Sequence, residues 1–258
     1  METNNINIRS IGIVGFGRFG ALLGRSLRED FQVCAYDSML TPEKITSKGI
    51  EAAPLHEVAQ MDCIILCVPI VNFETTVKRL EPLISSETAV LDVCSVKKMP
   101  SDVMHEHLSK KAVILPTHPM FGPVSAQFGW DNLPFVLCPS ATPSAAEQAL
   151  TTFWSNYIQQ RQRARVVIMT PEEHDRVTAY NLCLTQLLGR VLGNIGIQSS
   201  PIDAQSFKYL LQMKEISYSD SMELLIGMHR YNPFAAEMRT RLREEFATVE
   251  ELLSKKVD

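Results

Sequence analysis

The sequence has no apolar stretch near the 18 or so residues that crossing a bilayer requires. Its first residues, Met1-Glu2-Thr3-Asn4-Asn5, are polar and offer no apolar core for a signal peptide. Both absences predict a cytoplasmic protein with no membrane partner. A basic excess is also missing: 25 Lys and Arg face 29 Asp and Glu, for a net charge of −4. The basic residues are interspersed with acids, so no nucleic-acid partner is expected. No CxxC pair exists among the six cysteines. Five of them fall inside or at the end of β-branched apolar runs, where they read as small buried hydrophobes, and no metal site is expected. Internal repeats and low-complexity tracts are absent. What remains, 45% hydrophobic and 21% charged among 258 residues, is the composition of a globular chain of one or two domains.

Glycine is sparse as well, 12 in all, yet three fall in Gly15-Phe16-Gly17-Arg18-Phe19-Gly20. The run stands between a predicted strand, Ile11-Gly12-Ile13-Val14, and a predicted helix, Ala21-Leu22-Leu23-Gly24-Arg25-Ser26-Leu27. That context gives the motif its meaning as a dinucleotide loop. Gly15 permits the tight turn, Gly17 lets the backbone approach a pyrophosphate, and Gly20 lets helix and strand pack closely. The N–H groups and partial positive charge at the helix N-terminus then suit phosphates. Asp37 ends the next apolar run, 22 positions past Gly15, near the roughly 20 expected for the acid that holds the adenosine ribose hydroxyls. A carboxylate there repels a 2′-phosphate, and no Lys or Arg follows until Lys44, so NAD is expected and NADP is disfavoured. A simple turn aspartate in Asp37-Ser38 is the competing reading.

Strands are expected near 8–14, 32–36, 62–68, 88–94, 112–116, 134–138 and 164–169, alternating with helices near 18–29, 41–49, 72–82, 100–109 and 144–158. This alternation predicts an α/β fold, a Rossmann-type doubly wound and mainly parallel sheet. Its ligand should lie at the carboxyl ends of the strands, which singles out the loops starting at Gly15, Asp37, Pro69, Ser95 and His118, with Val68 and Pro69 beside the cofactor. From Thr170 onward the apolar residues repeat at helical spacing, so residues 1–170 read as a dinucleotide-binding domain and 171–258 as a smaller all-helical substrate and dimerisation domain. Thr170-Pro171-Glu172-Glu173 is a capping box with Pro at the first helical position, opening a helix that runs to about Gly193. Ser200-Pro201 and Asn232-Pro233 carry the same start signal. Met238, Leu242, Phe246, Val249 and Leu253 form one apolar stripe in the last helix. So few helices need cover for their apolar faces, and the same domain of a second subunit would supply it in a homodimer.

Four segments carry a family resemblance. Gly15-Phe16-Gly17-Arg18-Phe19-Gly20, Asp92-Val93-Cys94-Ser95-Val96-Lys97, Thr117-His118-Pro119-Met120-Phe121-Gly122-Pro123 and Glu172-Glu173-His174-Asp175-Arg176 occur in the order and spacing of the prephenate and arogenate dehydrogenases. The likeness spans nearly the whole chain, and Leu91 to Lys97 with Tyr231-Asn232-Pro233 look most like the plant arogenate-type enzymes. The resemblance implies oxidative decarboxylation of prephenate or arogenate with hydride transfer to NAD(P), in tyrosine biosynthesis. It also implies a monofunctional enzyme, since the sequence leaves no room for a mutase or regulatory domain. A dehydrogenase of a related cyclohexadienol such as an aminodeoxyprephenate is one alternative. A nucleotide-binding Rossmann protein without turnover is another.

By the same resemblance His118 is the catalytic histidine and Ser95 hydrogen-bonds near it and the nicotinamide, too weak an acid to be the base itself. His118 follows the apolar run Ala112-Val113-Ile114-Leu115, and an ordinary imidazole pKa near 6.5 suits a base. For Ser95 a helix cap before Met99 competes, and Lys97 reads equally as a solvated lysine. His174 and Asp175 match a family pair at the start of the domain-joining helix. Two positions depart from the family: Gln186 stands where many members have a histidine, and Gly227 where bacterial prephenate enzymes have a carboxylate-gripping arginine. Gln186 can still donate a hydrogen bond. A dicarboxylic substrate calls for arginine contacts, for which Arg230, Arg239 and Arg241 are candidates. Substrate contacts are therefore expected from His118, Gln186 and Arg230, and the missing arginine leans the reading toward arogenate.

Overall fold

A computed structural model of the protein describes residues 6–86 and 88–255. The polar pentapeptide Met1 to Asn5, read above against a signal peptide, lies outside them. The chain divides into two compact units, Met1–His174 and Asp175–Asp258.

The first unit is built on an eight-stranded sheet: β1 (Ser10–Val14), β2 (Gln32–Tyr36), β3 (Glu51–Ala52), β4 (Cys63–Leu66), β5 (Thr88–Asp92), β6 (Ala112–Pro119), β7 (Pro134–Leu137) and β8 (Arg165–Ile168). Their order is β3-β2-β1-β4-β5-β6-β7-β8, parallel throughout except for the β6–β7 pair. The inner strands are apolar on both faces because both faces are covered. Ile11, Ile13, Ala35, Ile65 and Leu91 point into one core, while their neighbours Val14, Cys34, Ile64, Leu66 and Val90 point into the other. Around the sheet run α1 (Arg18–Leu27), α2 (Pro42–Thr46), α3 (Leu55–Val58), a 3-10 turn Ile70–Asn72, α4 (Phe73–Leu80), α5 (Lys98–Leu108) and α6 (Ala145–Gln160). The chain order reverses direction at β1, between β2 and β4, so the crevice there is the ligand position of a doubly wound sheet.

Two short elements, β3 and α3, were not predicted. Both are too brief to show a period, and α3 is fixed by packing: a Cβ on Gly12 of β1 would lie 2.5 Å from the Val58 carbonyl oxygen. The sixth strand runs three residues further than its apolar run predicts. Up to Pro116 it pairs with β5, and at Thr117, His118 and Pro119 it gains β7 as an antiparallel partner.

The second unit, as far as it is described, is all helical. The helix leading into it, α7 (Pro171–Thr178), opens with the predicted capping box: Glu173 N donates to Thr170 Oγ1 at 3.2 Å and Thr170 N to Glu173 Oε2 at 2.8 Å. A π-helical segment, Ala179–Leu184, continues into α8 (Thr185–Ile195), which stops at Gly196 in the left-handed region. Helices α9 (Gln205–Ser219), α10 (Met222–Tyr231) and α11 (Ala235–Ser254) follow. The Ser200-Pro201 start signal is displaced by four residues, because Asp203 accepts from the Ser200 N–H and from both serine hydroxyls and holds a turn there. The start at Ser221, which caps α10 through Leu224 N, was missed for want of a proline. Asn232-Pro233 does precede a helix, with Asn232 Oδ1 accepting from Phe234 N.

The interior of this unit is small: Ala179, Cys183, Met228, Ala235 and Met238 make up its buried apolar cluster. Of the predicted stripe on α11, Met238 is buried, whereas Phe246, Val249 and Leu253 are 61%, 51% and 76% exposed.

Candidate active site

The glycine loop lies between β1 and α1, at the reversal point of the sheet. Gly15 has a φ of +94° and sits so close to the turn after β4 that a Cβ would be 2.7 Å from the Cys67 carbonyl. That contact brings Val68 and Pro69 beside the loop. Gly20 approaches closely too, since its Cβ would be 2.2 Å from the Gly15 oxygen. Gly17 differs: a Cβ there would meet nothing within 4 Å. Gly17 caps α1 without a side-chain hydrogen bond, and no acid occupies the first turn. An open surface over N–H groups that lack a side-chain cap fits a pyrophosphate, as the motif requires. Phe16 is fully buried, so only its backbone is available to a ligand. Arg18 is exposed, and Phe19 is half-buried with its ring 6.3 Å from that of Phe121.

Asp37 stands where expected, just past β2, but its hydrogen bonds go to the protein. Oδ2 accepts from Phe16 N at 2.7 Å, and Oδ1 from Met39 N at 2.8 Å and Leu40 N at 3.1 Å. The carboxylate thus pins the glycine loop to the β2 turn, which combines the turn role with a supporting one.

At the other side of the crevice, β5 and β6 end next to each other, with Asp92 opposite Pro116. His118 is buried, and its Nδ1 lies 2.8 Å from Nε2 of His174, itself buried at the start of α7. Burial pushes the His118 pKa well below the ordinary histidine value, with further lowering from His174 and Lys97. A neutral imidazole at neutral pH follows. Ser95 is half-buried in the turn after β5 and does not cap α5, whose N-cap is Lys97. Lys97 is not a solvated lysine. It is fully buried, its Nζ donating to Asp92 Oδ2 and, at 2.5 Å, to the Thr117 carbonyl.

In the helical unit Gln186 is buried and its Nε2 donates to Asp220 Oδ2 at 2.7 Å. One turn further on, Arg190 packs its guanidinium 4.6 Å from the centre of the Tyr218 ring and donates to the Asp220 carbonyl. Gln186 Oε1 and Arg190 Nε are buried with no hydrogen-bond partner among the described residues. Arg230 and Arg241 are exposed, and Arg239 is turned toward His229, 3.0 Å from its Nδ1. Gly227 is buried in α10.

Asp92, Lys97, Arg190 and Asp220 were not singled out as site residues by the sequence. Burial, complete for Asp92 and Lys97 and partial for Arg190 and Asp220, is what distinguishes them, and a lone charge in a sequence reads as solvent-facing. The spacing of Gln186 and Arg190, four apart on one helix, was the signal available for the second pair. No disulfide joins the six cysteines among the described residues, and five of them are buried. Burial lifts the Cys34 thiol to about 11 and that of Cys183 to about 12, which keeps both protonated.

Comparison with known proteins bears on the whole arrangement. A family model described as "Prephenate dehydrogenase, nucleotide-binding domain" matches residues 40–159, and one described as "TYRAAT1-like, C-terminal domain" matches 191–258. Arogenate dehydrogenase 2, chloroplastic, of Arabidopsis thaliana is 32% identical over 94% of this chain and 69% of its own length. Arogenate dehydrogenase 1 of the same plant is 32% identical over 93% of this chain, which spans 38% of that relative. The crystal structure of the Aquifex aeolicus prephenate dehydrogenase with hydroxyphenyl propionate and NAD+ superposes with a TM-score of 0.75 at 20% identity, covering 97% of this chain and 92% of that one. It shows the shared fold. No described helix is long and apolar enough to cross a membrane. With a glycine loop at the reversal point, a buried neutral histidine at the end of β6, and an arogenate dehydrogenase 32% identical over 94% of this chain, the protein belongs to the prephenate and arogenate dehydrogenase family, oxidoreductases of tyrosine biosynthesis.

Proposed function

We propose that this protein oxidises and decarboxylates arogenate, with prephenate the poorer substrate, using NAD and His118 as its base. The observation that carries the reading is the pair His118–His174: a buried neutral imidazole whose Nδ1 is engaged at 2.8 Å by a second buried imidazole. For His118 to act through Nε2, its Nδ1 carries the proton and donates to His174 Nε2, which fixes ring and tautomer together. His118 Nε2 then takes the carbinol proton as the hydride leaves the ring carbon. Bound NAD supplies the hydride acceptor. As the ring carboxylate departs as carbon dioxide, its electron pair aromatises the ring, and His118 returns the proton to the resulting phenol oxygen. Ser95, in the adjoining turn, orients the reacting hydroxyl.

The first unit is the cofactor domain. Gly15 and Gly20 shape the loop, Phe16 ties it to Asp37 through its N–H, and the backbone of Gly17, Arg18 and Phe19 holds the pyrophosphate, with Val68 and Pro69 flanking it and Asp37 disfavouring a 2′-phosphate by its charge. The second unit is the substrate and dimerisation domain. Two buried atoms there without partners among the described residues, Gln186 Oε1 and Arg190 Nε, belong to side chains that both bond to Asp220, Gln186 to its carboxylate and Arg190 to its carbonyl. An acceptor and a carboxylate suit an α-ammonium, and a guanidinium suits an α-carboxylate, which is the amino-acid end that arogenate has and prephenate lacks. This pairing replaces Arg230, exposed in α10, as the stronger candidate for the substrate carboxylate. An aminodeoxyprephenate enzyme or a Rossmann protein without turnover is not favoured, since the curated relatives are arogenate dehydrogenases.

Five buried apolar residues are too few to hold an 84-residue helical unit together, and its exposed stripe on α11 calls for cover. A homodimer through this unit supplies it. Six cysteines without a disulfide among the described residues suit a reducing compartment, in keeping with the cytoplasm.

The test is NADH formation by the purified protein with arogenate and prephenate in parallel. Turnover with a higher kcat/KM for arogenate is expected. A higher value for prephenate refutes the substrate preference, and no turnover with either refutes the function.

A further inference from the structure

Lys97 has no part in the chemistry described so far, yet its side chain is fully buried two residues after Ser95. Burying an ammonium group is unfavourable unless its partners are well placed. Capping does not explain it, because the N-cap of α5 uses no side-chain hydrogen bond. Its partners do. Lys97 Nζ donates to Asp92 Oδ2 and to the Thr117 carbonyl. Asp92, also fully buried, accepts from Cys94 N at 2.9 Å and from Thr117 N at 3.2 Å, and Thr117 Oγ1 donates back to the Asp92 carbonyl. One ion pair therefore ties together the end of β5, the turn that carries Ser95, and the residue immediately before His118.

We propose that Lys97 is a positioning residue for the dehydrogenase reaction: with Asp92 it locks the Ser95 turn to the end of β6 and sets a fixed positive charge close to the His118 imidazole. The proposal rests on His118 as the base. The titratable groups that act on His118 are His174 from α7 and Lys97 from the β5–α5 turn, the latter paired with Asp92. Among them Lys97 brings the permanent positive charge, and its repulsion adds to burial and His174 in holding the ring neutral. A base must be neutral before it accepts a proton, so activity is present above the His118 pKa and lost as pH falls through it. Removing the cation raises that pKa and moves the loss to higher pH.

The full chain is compared as wild type, Lys97→Met, and the double variant Asp92→Asn with Lys97→Met. The single variant strands Asp92 without its counter-charge. The double variant is neutral and similar in shape, so it carries the test. It should bind NAD as the wild type does in a fluorescence titration, with kcat lowered about tenfold or more by the loosened turn. The Lys97→Met single variant, which removes only the cation, should carry its acid limb of kcat/KM to higher pH than that of the wild type. The imidazole NMR titration of His118, assigned with His118→Gln, reads the same shift without turnover. A double variant with wild-type kcat, or a Lys97→Met variant whose acid limb is unmoved, overturns the proposal. So does a wild-type His118 that titrates at or above the ordinary value of about 6.5, however the variants fold. A wild type inactive on both substrates refutes the proposed function instead, and the NMR titration then still decides for or against Lys97.

Discussion

His118 is kept neutral and oriented by residues from three places in the chain, Asp92 and Lys97 on the β5 turn, Thr117 beside it, and His174 at the start of α7. Sequence motifs name His118 and Ser95 because the residue types carry the chemistry. They do not show that a lysine two residues past Ser95 is buried, since a lysine in a turn is ordinarily solvated and only the fold removes its water. Asp37 is a similar case. Its position is legible from its distance to Gly15, but its three hydrogen bonds to Phe16, Met39 and Leu40 are not. Those bonds make a prediction sharper than a ribose contact alone. Asp37→Ala should weaken NAD binding by freeing the glycine loop and should narrow the ratio of kcat/KM for NAD over NADP by removing a negative charge. Measured side by side, an unchanged ratio would show that Asp37 does not select the cofactor.

Among the elements, the strands that could be read were those whose residues serve two cores, such as Ile11 and Ile13 on one side of β1 and Val14 on the other. The short β3 and α3 carry no period, and the end of β6 depends on β7, whose Leu137, Val136 and Phe135 pair with Thr117, His118 and Pro119 across an intervening loop that local pattern cannot supply. The π-helical segment Ala179–Leu184 was likewise read as ordinary helix, because its sequence is as apolar and periodic as what flanks it. Within the glycine loop the three glycines have distinct reasons, which separates folding from binding. Gly20 is required by the Gly15 oxygen 2.2 Å from its Cβ position, whereas Gly17 has nothing within 4 Å and an ordinary φ of −66°. Gly17→Ala should therefore leave the melting temperature within a degree or two of the wild type, the shift of a surface change of about 0.5 kcal/mol or less. It should lower NAD affinity at least several-fold, since the methyl would stand where the pyrophosphate approaches. Loss of stability with unchanged affinity would place the pyrophosphate elsewhere.

For the molecule as a whole, the division between an α/β unit and a helical one was legible from the change of apolar period near Thr170. The missing interior of the helical unit was legible only as a stripe on its last helix. In the structure Phe246, Val249 and Leu253 remain more than half exposed, against a core of five residues. Replacing Phe246 and Leu253 by Glu should convert the proposed dimer to a monomer in light scattering and lower the melting temperature, because charges cannot enter an apolar interface without cost. A variant that stays dimeric would move the interface to another face. The central claim, a neutral His118 as base in an NAD-dependent oxidation, is tested most directly by His118→Ala assayed with arogenate at saturating NAD. Loss of a general base predicts kcat lower by roughly 10²–10⁴ with NAD affinity by titration unchanged. A variant that turns over at the wild-type rate would remove His118 from the chemistry and contradict the mechanism.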